Sequence, residues 1–356
     1  MKSMNYAEKL HSLLEEAVKQ DASDLHIAEG RHPTLRVYGT LIALENEEIL
    51  TPESAEGLVN ELMPSDLKDR FLKDRQVDFA YSMKGDGRFR VNAFFQEGTW
   101  SAALRLVPAK IRTIDELGLP PVLHDFVKLT QGFILMVGPA GHGKSTTTAS
   151  ILDEISRTRK VHIVTIEDHI EYLFSQNLGI VSQREVGGDT LSFADGLKTV
   201  LRQDPDVIMV GEMRDSDSIS AAMTAAETGQ LVFSTLHTNS AAQTVDRIID
   251  SFPPAQQEQI ISQVATTLVA IVSERLIPRI GGGRVPAMEV MLMNPAIRNL
   301  IRERKIFSID SVIQTGIKEG MMTLDYSLAS LVKAKQITQE DAELYAANPT
   351  ELRKYL

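Results

Sequence analysis

The 356-residue chain contains no cysteine. That removes disulfides, thiolate nucleophiles and cysteine-ligated zinc from the possible chemistries, and it fits a reducing compartment. Positive charge is also short: the formal net charge is -11, with a single tryptophan. A protein whose main partner is nucleic acid needs clustered lysine and arginine, and one that grips single strands adds aromatics for stacking; this composition argues against both. No apolar run approaches the roughly 20 residues that span a bilayer. Residues Met1 to Gln20 are too charged for a signal peptide, so the expected location is cytosolic, with any membrane association passing through partners. What is present is ordinary for a soluble globular protein with sizeable cores: 43% hydrophobic and 24% charged residues. The length suggests two domains.

The first segment, Tyr6 to Gln20, places Leu10, Leu13, Leu14 and Val18 at helical spacing. Short strand patterns follow at Leu35 to Tyr38, Val77 to Ser82 and Arg88 to Gln96, the last two joined by the turn signal Lys84-Gly85-Asp86-Gly87. A further strand is expected over Trp100 to Val107. Residues 1–109 therefore read as a small α/β domain on a mostly antiparallel sheet. Residues 110–130, with Gly118-Leu119-Pro120-Pro121, read as a linker, and residues 131–356 as a second domain. There, short apolar strands at Phe133 to Val137, Val161 to Ile166, Val207 to Val210 and Leu231 to Phe233 alternate with helical stretches, which implies βαβ units and a parallel sheet. Beyond Arg247 the chain reads as mainly helical.

The segment Gly138-Pro139-Ala140-Gly141-His142-Gly143-Lys144-Ser145-Thr146 matches the phosphate-binding pattern G-x-x-x-x-G-K-[ST]. It follows a buried strand and opens a helix whose apolar face is Ala149, Ile151, Leu152 and Ile155, the context the motif requires. Its glycines let backbone N–H groups converge on phosphate oxygens at a helix N-terminus. Lys144 is placed to bridge β- and γ-phosphates and Ser145 to ligate Mg²⁺, so ATP and Mg²⁺ are the expected ligands.

Three other strands aim polar residues at the same edge. Val161 to Ile166 runs into Glu167-Asp168, Val207 to Val210 into Gly211-Glu212, and Leu231 to Phe233 into Ser234-Thr235-Leu236-His237-Thr238. Ligands of open parallel sheets bind outside the carboxyl ends of the strands. One carboxylate can hold Mg²⁺ through water while another orients or deprotonates an attacking water, and His237 can sense the γ-phosphate.

Thr165-Ile166-Glu167-Asp168 with Ile170-Glu171 resembles the aspartate box of secretion and pilus motor ATPases. Asp204 to Asp215 resembles their Walker B segment and Thr235 to Ala241 their histidine box. Ala22-Ser23-Asp24-Leu25-His26 and Gly87 to Phe94 are similar to the N-terminal domain, so the resemblance covers essentially the whole chain. Ala296-Ile297-Arg298-Asn299-Leu300-Ile301-Arg302-Glu303 is similar to a signature of type IV pilus retraction ATPases; without the family it is a basic amphipathic helix. Extension and secretion members generally carry a four-cysteine zinc module, which a chain without cysteine lacks.

The resemblance implies an α/β fold in which a RecA-like P-loop ATPase domain is preceded by a smaller PAS-like domain. It implies a homohexamer working at the pilus base, with an inner-membrane platform protein and a second retraction ATPase as partners, peripheral to the inner membrane, and with no direct nucleic acid. Glu167 takes the place of the water-activating glutamate and Glu212 that of the Walker B glutamate near Mg²⁺. Arg90 and Arg105 fall where relatives carry arginines that complete ATP sites between the domains; from the sequence alone they are strand residues. Two positions depart from the pattern: His142 stands where relatives usually carry serine or threonine, and His169 where they usually carry proline. The rival readings are an accessory retraction ATPase, a RecA-like nucleic-acid translocase and a non-hydrolysing scaffold. The intact Lys144, Glu167 and Glu212 argue against the scaffold.

Overall fold

The computed structural model describes residues 5–37, 39–83, 87–108, 110–213 and 215–356. The hairpin turn expected at Lys84-Gly85-Asp86 lies outside the described residues, as do Tyr38 of the first expected strand, the boundary residue Ala109 and Arg214 of the Walker B-like segment.

The chain divides into two compact units, residues up to Lys110 with Glu171–Leu173, and residues Ile111–Ile170 with Phe174–Leu356. In the first, strands β1 (Asp24–Ile27), β2 (Thr34–Val37), β3 (Thr40–Ala43), β4 (Gln76–Met83), β5 (Gly87–Gln96) and β6 (Thr99–Val107) form one antiparallel sheet in the order β3-β2-β1-β6-β5-β4. Period-2 alternation sends Leu25, Leu35, Phe89, Val91, Ala93 and Leu104 into a core shared with Leu10, Leu13, Leu14 and Ala17 of the helix Tyr6–Lys19 and with Leu58, Val59 and Leu62 of the helix Pro52–Leu62. Each such leucine contributes about 1.5–3 kcal/mol by leaving water. Val18, expected on the buried face of the first helix, packs only partly buried against this core. Residues of the alternate parity form a polar row across four strands: Arg36, Asp24, Arg105 and Arg90 are successive cross-strand neighbours.

In the second unit, β7 (Gly132–Val137), β8 (His162–Glu167), β9 (Ile180–Glu185), β10 (Val207–Val210), β11 (Leu231–Leu236), β12 (Leu268–Pro278) and β13 (Arg284–Leu292) form a sheet ordered β13-β12-β7-β11-β10-β8-β9. All neighbours are parallel except β12 and β13. Both faces are covered: Leu135, Val164, Ile208 and Val232 enter one core, and Ile134, Ile163, Met209 and Phe233 the other.

Two expectations are corrected. The stretch 110–130 is no free linker. Ile114, Leu119, Leu123, Phe126 and Val127 are buried in the second unit's core. Arg159, at the end of the helix Lys144–Thr158, donates to the carbonyls of Val127 (2.9 Å) and Leu129 (2.6 Å). The Gly118-Leu119-Pro120-Pro121 signal marks a turn in packed chain.

The reading of the region beyond Arg247 also needs amending: helices dominate it, but Leu268–Leu292, between the helices Pro254–Thr267 and Pro295–Arg302, is a long hairpin. No glycine, proline, asparagine or aspartate separates the helix Pro254–Thr267 from β12, so no turn signal marks where helix gives way to strand. The missed signal was Gly281-Gly282-Gly283, all at positive φ, which turns β12 into β13. From Pro295 onward the chain is helical, as read.

Candidate nucleotide site

The cradle is built where β7 ends at Val137 and the helix begins at Lys144. Gly138 and Gly143 lie at φ +139° and +99°; a Cβ on either would stand 2.3 Å from the Glu274 carbonyl oxygen or 2.2 Å from its carboxylate. Only glycine fits these positions, since the loop passes directly over β12. Lys144 is buried, and its Nζ donates to the carbonyls of Gly138 (2.7 Å) and Pro139 (2.8 Å), which holds the ammonium inside the loop. The helix dipole adds positive potential at the same place.

Strand register sets the rest. Leu135, Ser234, Val210 and Ile166 are successive partners across β7, β11, β10 and β8. One to three residues further on, the four strands release the phosphate loop, His237, Glu212 and Glu167 at one edge, about 4.8 Å apart per strand. Hydroxyls fix the strand ends: Ser234 donates to the Val210 carbonyl (2.8 Å) and Thr235 to that of Gly211 (2.5 Å). His237 Nε2 lies 3.3 Å from Glu212 Oε1, so the Walker B-like and histidine-box segments meet. Glu167 is buried; its Oε1 accepts from the Thr165 hydroxyl (2.6 Å) and from Gln183 (3.3 Å) on β9. Gln183, on a strand the sequence reading did not mark, thus helps aim the glutamate.

The β12–β13 hairpin carries residues that motif reading missed. Glu274, on β12, accepts from the Thr147 hydroxyl (2.8 Å) beneath the loop. Burial pushes its carboxyl up to about 8, against the opposing pull of the Thr147 hydrogen bond and Lys144. Ser273 donates to the Asn239 carbonyl (2.9 Å), and Glu289 on β13 accepts from the Ala241 N–H (2.7 Å) at the start of the helix Ala241–Asp250. Burial raises Glu289 to about 7. One hairpin therefore grips both the phosphate loop and the histidine-box loop.

Two clefts open here, one at the Glu212–His237 pair and one beside the phosphate loop. One of about 430 Å³ is lined by Glu212, His237 and Arg247; the other, of about 620 Å³, borders Gly143, Thr146 and Thr147, with Arg112, Arg279 and Arg284 along its wall. His169 Nδ1 stands 3.4 Å from Glu185, whose other oxygen accepts from the Ile170 N–H (3.3 Å), so β9 steadies the turn after Glu167. Arg90 and Arg105 belong to the first unit. Arg105 Nε donates to Asp24 (2.9 Å), and Arg90, its cross-strand partner, is exposed.

The family model described as "Type II/IV secretion system protein" matches residues 2–283. The type IV pilus retraction ATPase PilT of Pseudomonas aeruginosa is 44% identical over 337 residues, covering 95% of this chain and 98% of that one. A twitching motility protein of Neisseria gonorrhoeae is 42% identical over 89% of this chain and 84% of its own, and the P. aeruginosa type IV pilus ATPase PilU 37% over 97% and 90%. A crystal structure of the pilus retraction motor PilT with bound ADP superposes with a TM-score of 0.90 at 46% identity, covering 97% of this chain and 98% of that one. The fold is that of a P-loop ATPase domain behind a smaller N-terminal α/β domain. Sheet order, the cradle at its edge and these likenesses agree, and the chain belongs to the type II/IV secretion system protein family.

Proposed function

We propose that the chain is a motor ATPase that retracts type IV pili. The observation that carries this reading is the gathering of the phosphate loop, the Glu212–His237 contact and Glu167 at one edge of the parallel sheet. The names of the PilT relatives supply the biological context.

The loop N–H groups receive the ATP phosphates, and Lys144 exchanges the carbonyls of Gly138 and Pro139 for β- and γ-phosphate oxygens. The cleft beside Thr146 and Thr147 takes the nucleoside. Glu167, aimed by Thr165 and Gln183, accepts a proton from the attacking water, and the water oxygen bonds to the γ-phosphorus as the bond to ADP breaks. His237, held by Glu212, registers whether the γ-phosphate is present. Mg²⁺ fits the donors: the Ser145 hydroxyl and, through water, Glu212 are hard oxygen ligands. The ion would neutralise charge on the β- and γ-phosphates.

Arg90 and Arg105 serve as catalytic arginines that meet the charge on the ATP phosphates. The working unit is a homohexamer that docks on an inner-membrane platform protein, with a second retraction ATPase as partner. Among the described residues no helix is long and apolar enough to cross a membrane, so attachment would go through the pilus machinery.

The test combines biochemistry and imaging. Lys144→Ala and Glu212→Ala should lower ATPase turnover at least about a hundredfold. Labelled pili should stop retracting when the gene is deleted and resume with the wild type but with neither variant. Normal retraction without the protein would defeat the primary-motor reading in favour of an accessory one.

A further inference from the structure

His142 occupies one of the four positions that the phosphate-loop motif leaves open, and the structure gives its side chain a partner. β12 is longer than the strand beside it. Its pairing with β7 ends at Ser273 opposite Val137, where the chain turns away into the loop. The backbone N–H of Leu276 therefore points past the end of β7, with no strand left to receive it. The imidazole of His142 takes it: the Leu276 N–H donates to His142 Nδ1 at 3.0 Å. Beside it Arg284, on β13, donates to the Gly141 carbonyl at 3.3 Å, and Glu274 lies against Gly143.

We propose that His142 is a positioning residue, an imidazole standing in for the missing strand, which pins the phosphate loop to the β12–β13 hairpin in its nucleotide-binding shape. The inference rests on nucleotide binding at this loop.

The bond defines a protonation state. An Nδ1 that accepts from an amide must carry its lone pair, so the ring is neutral with its proton on Nε2. Protonation of Nδ1 turns the acceptor into a second donor facing Leu276 N–H and breaks the brace. The surrounding charges oppose this. Lys144 from the helix, Arg275 from β12 and Arg284 from β13 are all cationic, while Glu274 is the acid beneath the loop. Burial first, and then these cations, hold the His142 ring below its usual range. The brace is therefore intact at neutral pH and fails only on the acid side. Serine or threonine, the usual occupants in the family, carries no such titrating acceptor.

The experiment measures Mg²⁺-dependent binding of a fluorescent ADP analogue to the full-length protein between about pH 7.5 and about pH 5.5, for wild type, His142→Ala and His142→Asn. Asparagine places Oδ1 as many bonds from the backbone as Nδ1, so it can accept the same N–H without titrating. At neutral pH, His142→Ala should bind about tenfold more weakly, because the Leu276 N–H is left without its acceptor; His142→Asn should stay within about twofold of wild type. On acidification, wild type should lose affinity more steeply than His142→Asn, whose remaining slope reports the nucleotide and the other titrating groups. Equal acid slopes for wild type and His142→Asn, or wild-type affinity in His142→Ala, would overturn the proposal. Thermal unfolding of each variant without nucleotide separates a lost brace from a lost fold. Failure of the wild type to bind at any pH would instead sink the ATPase reading.

Discussion

At the residue scale, the site depends on side chains that motifs do not name. Lys144 was legible because the phosphate pattern fixes its position; Glu274 was not, because it lies 130 positions on and reaches Thr147 only after the sheet has formed. Its titration has a definite sign. Between its usual value of 4.5 and its folded value of about 8, the folded protein holds a proton that the unfolded chain has released. Stability therefore falls as pH rises through that window and levels off above about pH 8. Glu274→Gln keeps an oxygen for the Thr147 hydroxyl and removes the titration. It should flatten this slope and stabilise the protein by on the order of 2 kcal/mol near pH 8, seen as a thermal midpoint several degrees higher. Parallel pH profiles for the two proteins would refute this account.

At the element scale, the β12–β13 hairpin does for this ATPase what no loop could: it carries a buried acid on each face. Glu274 lies under the phosphate loop and Glu289 at the start of the helix after His237. A second element-level tie fastens the segment 111–130 to the phosphate-loop helix. His124 Nδ1 lies 2.9 Å from Glu154 on that helix, and Nε2 lies 3.3 Å from Asp115. The Glu154 hydrogen bond, ahead of Asp115, raises the His124 pKa despite partial burial. A histidine raised in this way stabilises fully below its unfolded value near 6.5, and that contribution disappears as pH rises through the higher folded value. The stability gap between wild type and His124→Gln, followed by urea unfolding, should therefore be widest near about pH 6 and close toward about pH 8. A gap that does not change with pH would show that the tie is packing alone.

At the scale of the whole molecule, the chain forms two units with separate cores. The second holds the complete phosphate cradle, and the first holds the cross-strand row of Arg36, Asp24, Arg105 and Arg90. Like charges opposite each other on neighbouring strands are unfavourable, and Arg105, opposite Arg90, is balanced by its bond to Asp24. If ATP is used in a homohexamer whose sites act in concert, doping wild type with Lys144→Ala subunits should depress ATPase activity more steeply than the wild-type fraction falls. A strictly proportional decline would mean that the subunits work independently.

The sequence by itself determined the phosphate-loop motif, the alternation of strands and helices in the second domain, the antiparallel character of the first and the likeness to pilus motors. These are short-range facts, carried by glycine spacing, period-2 alternation and residues that directly follow strands. Tertiary structure decided the packing of 111–130 into a core and the partners of Glu167, Glu274 and His142. Each of those depends on which strand lies beside which, a consequence of burying the whole sheet that no local window contains. His142 is the plainest case: its place in the loop was legible, but its task was set by a neighbouring strand that outlasts its partner.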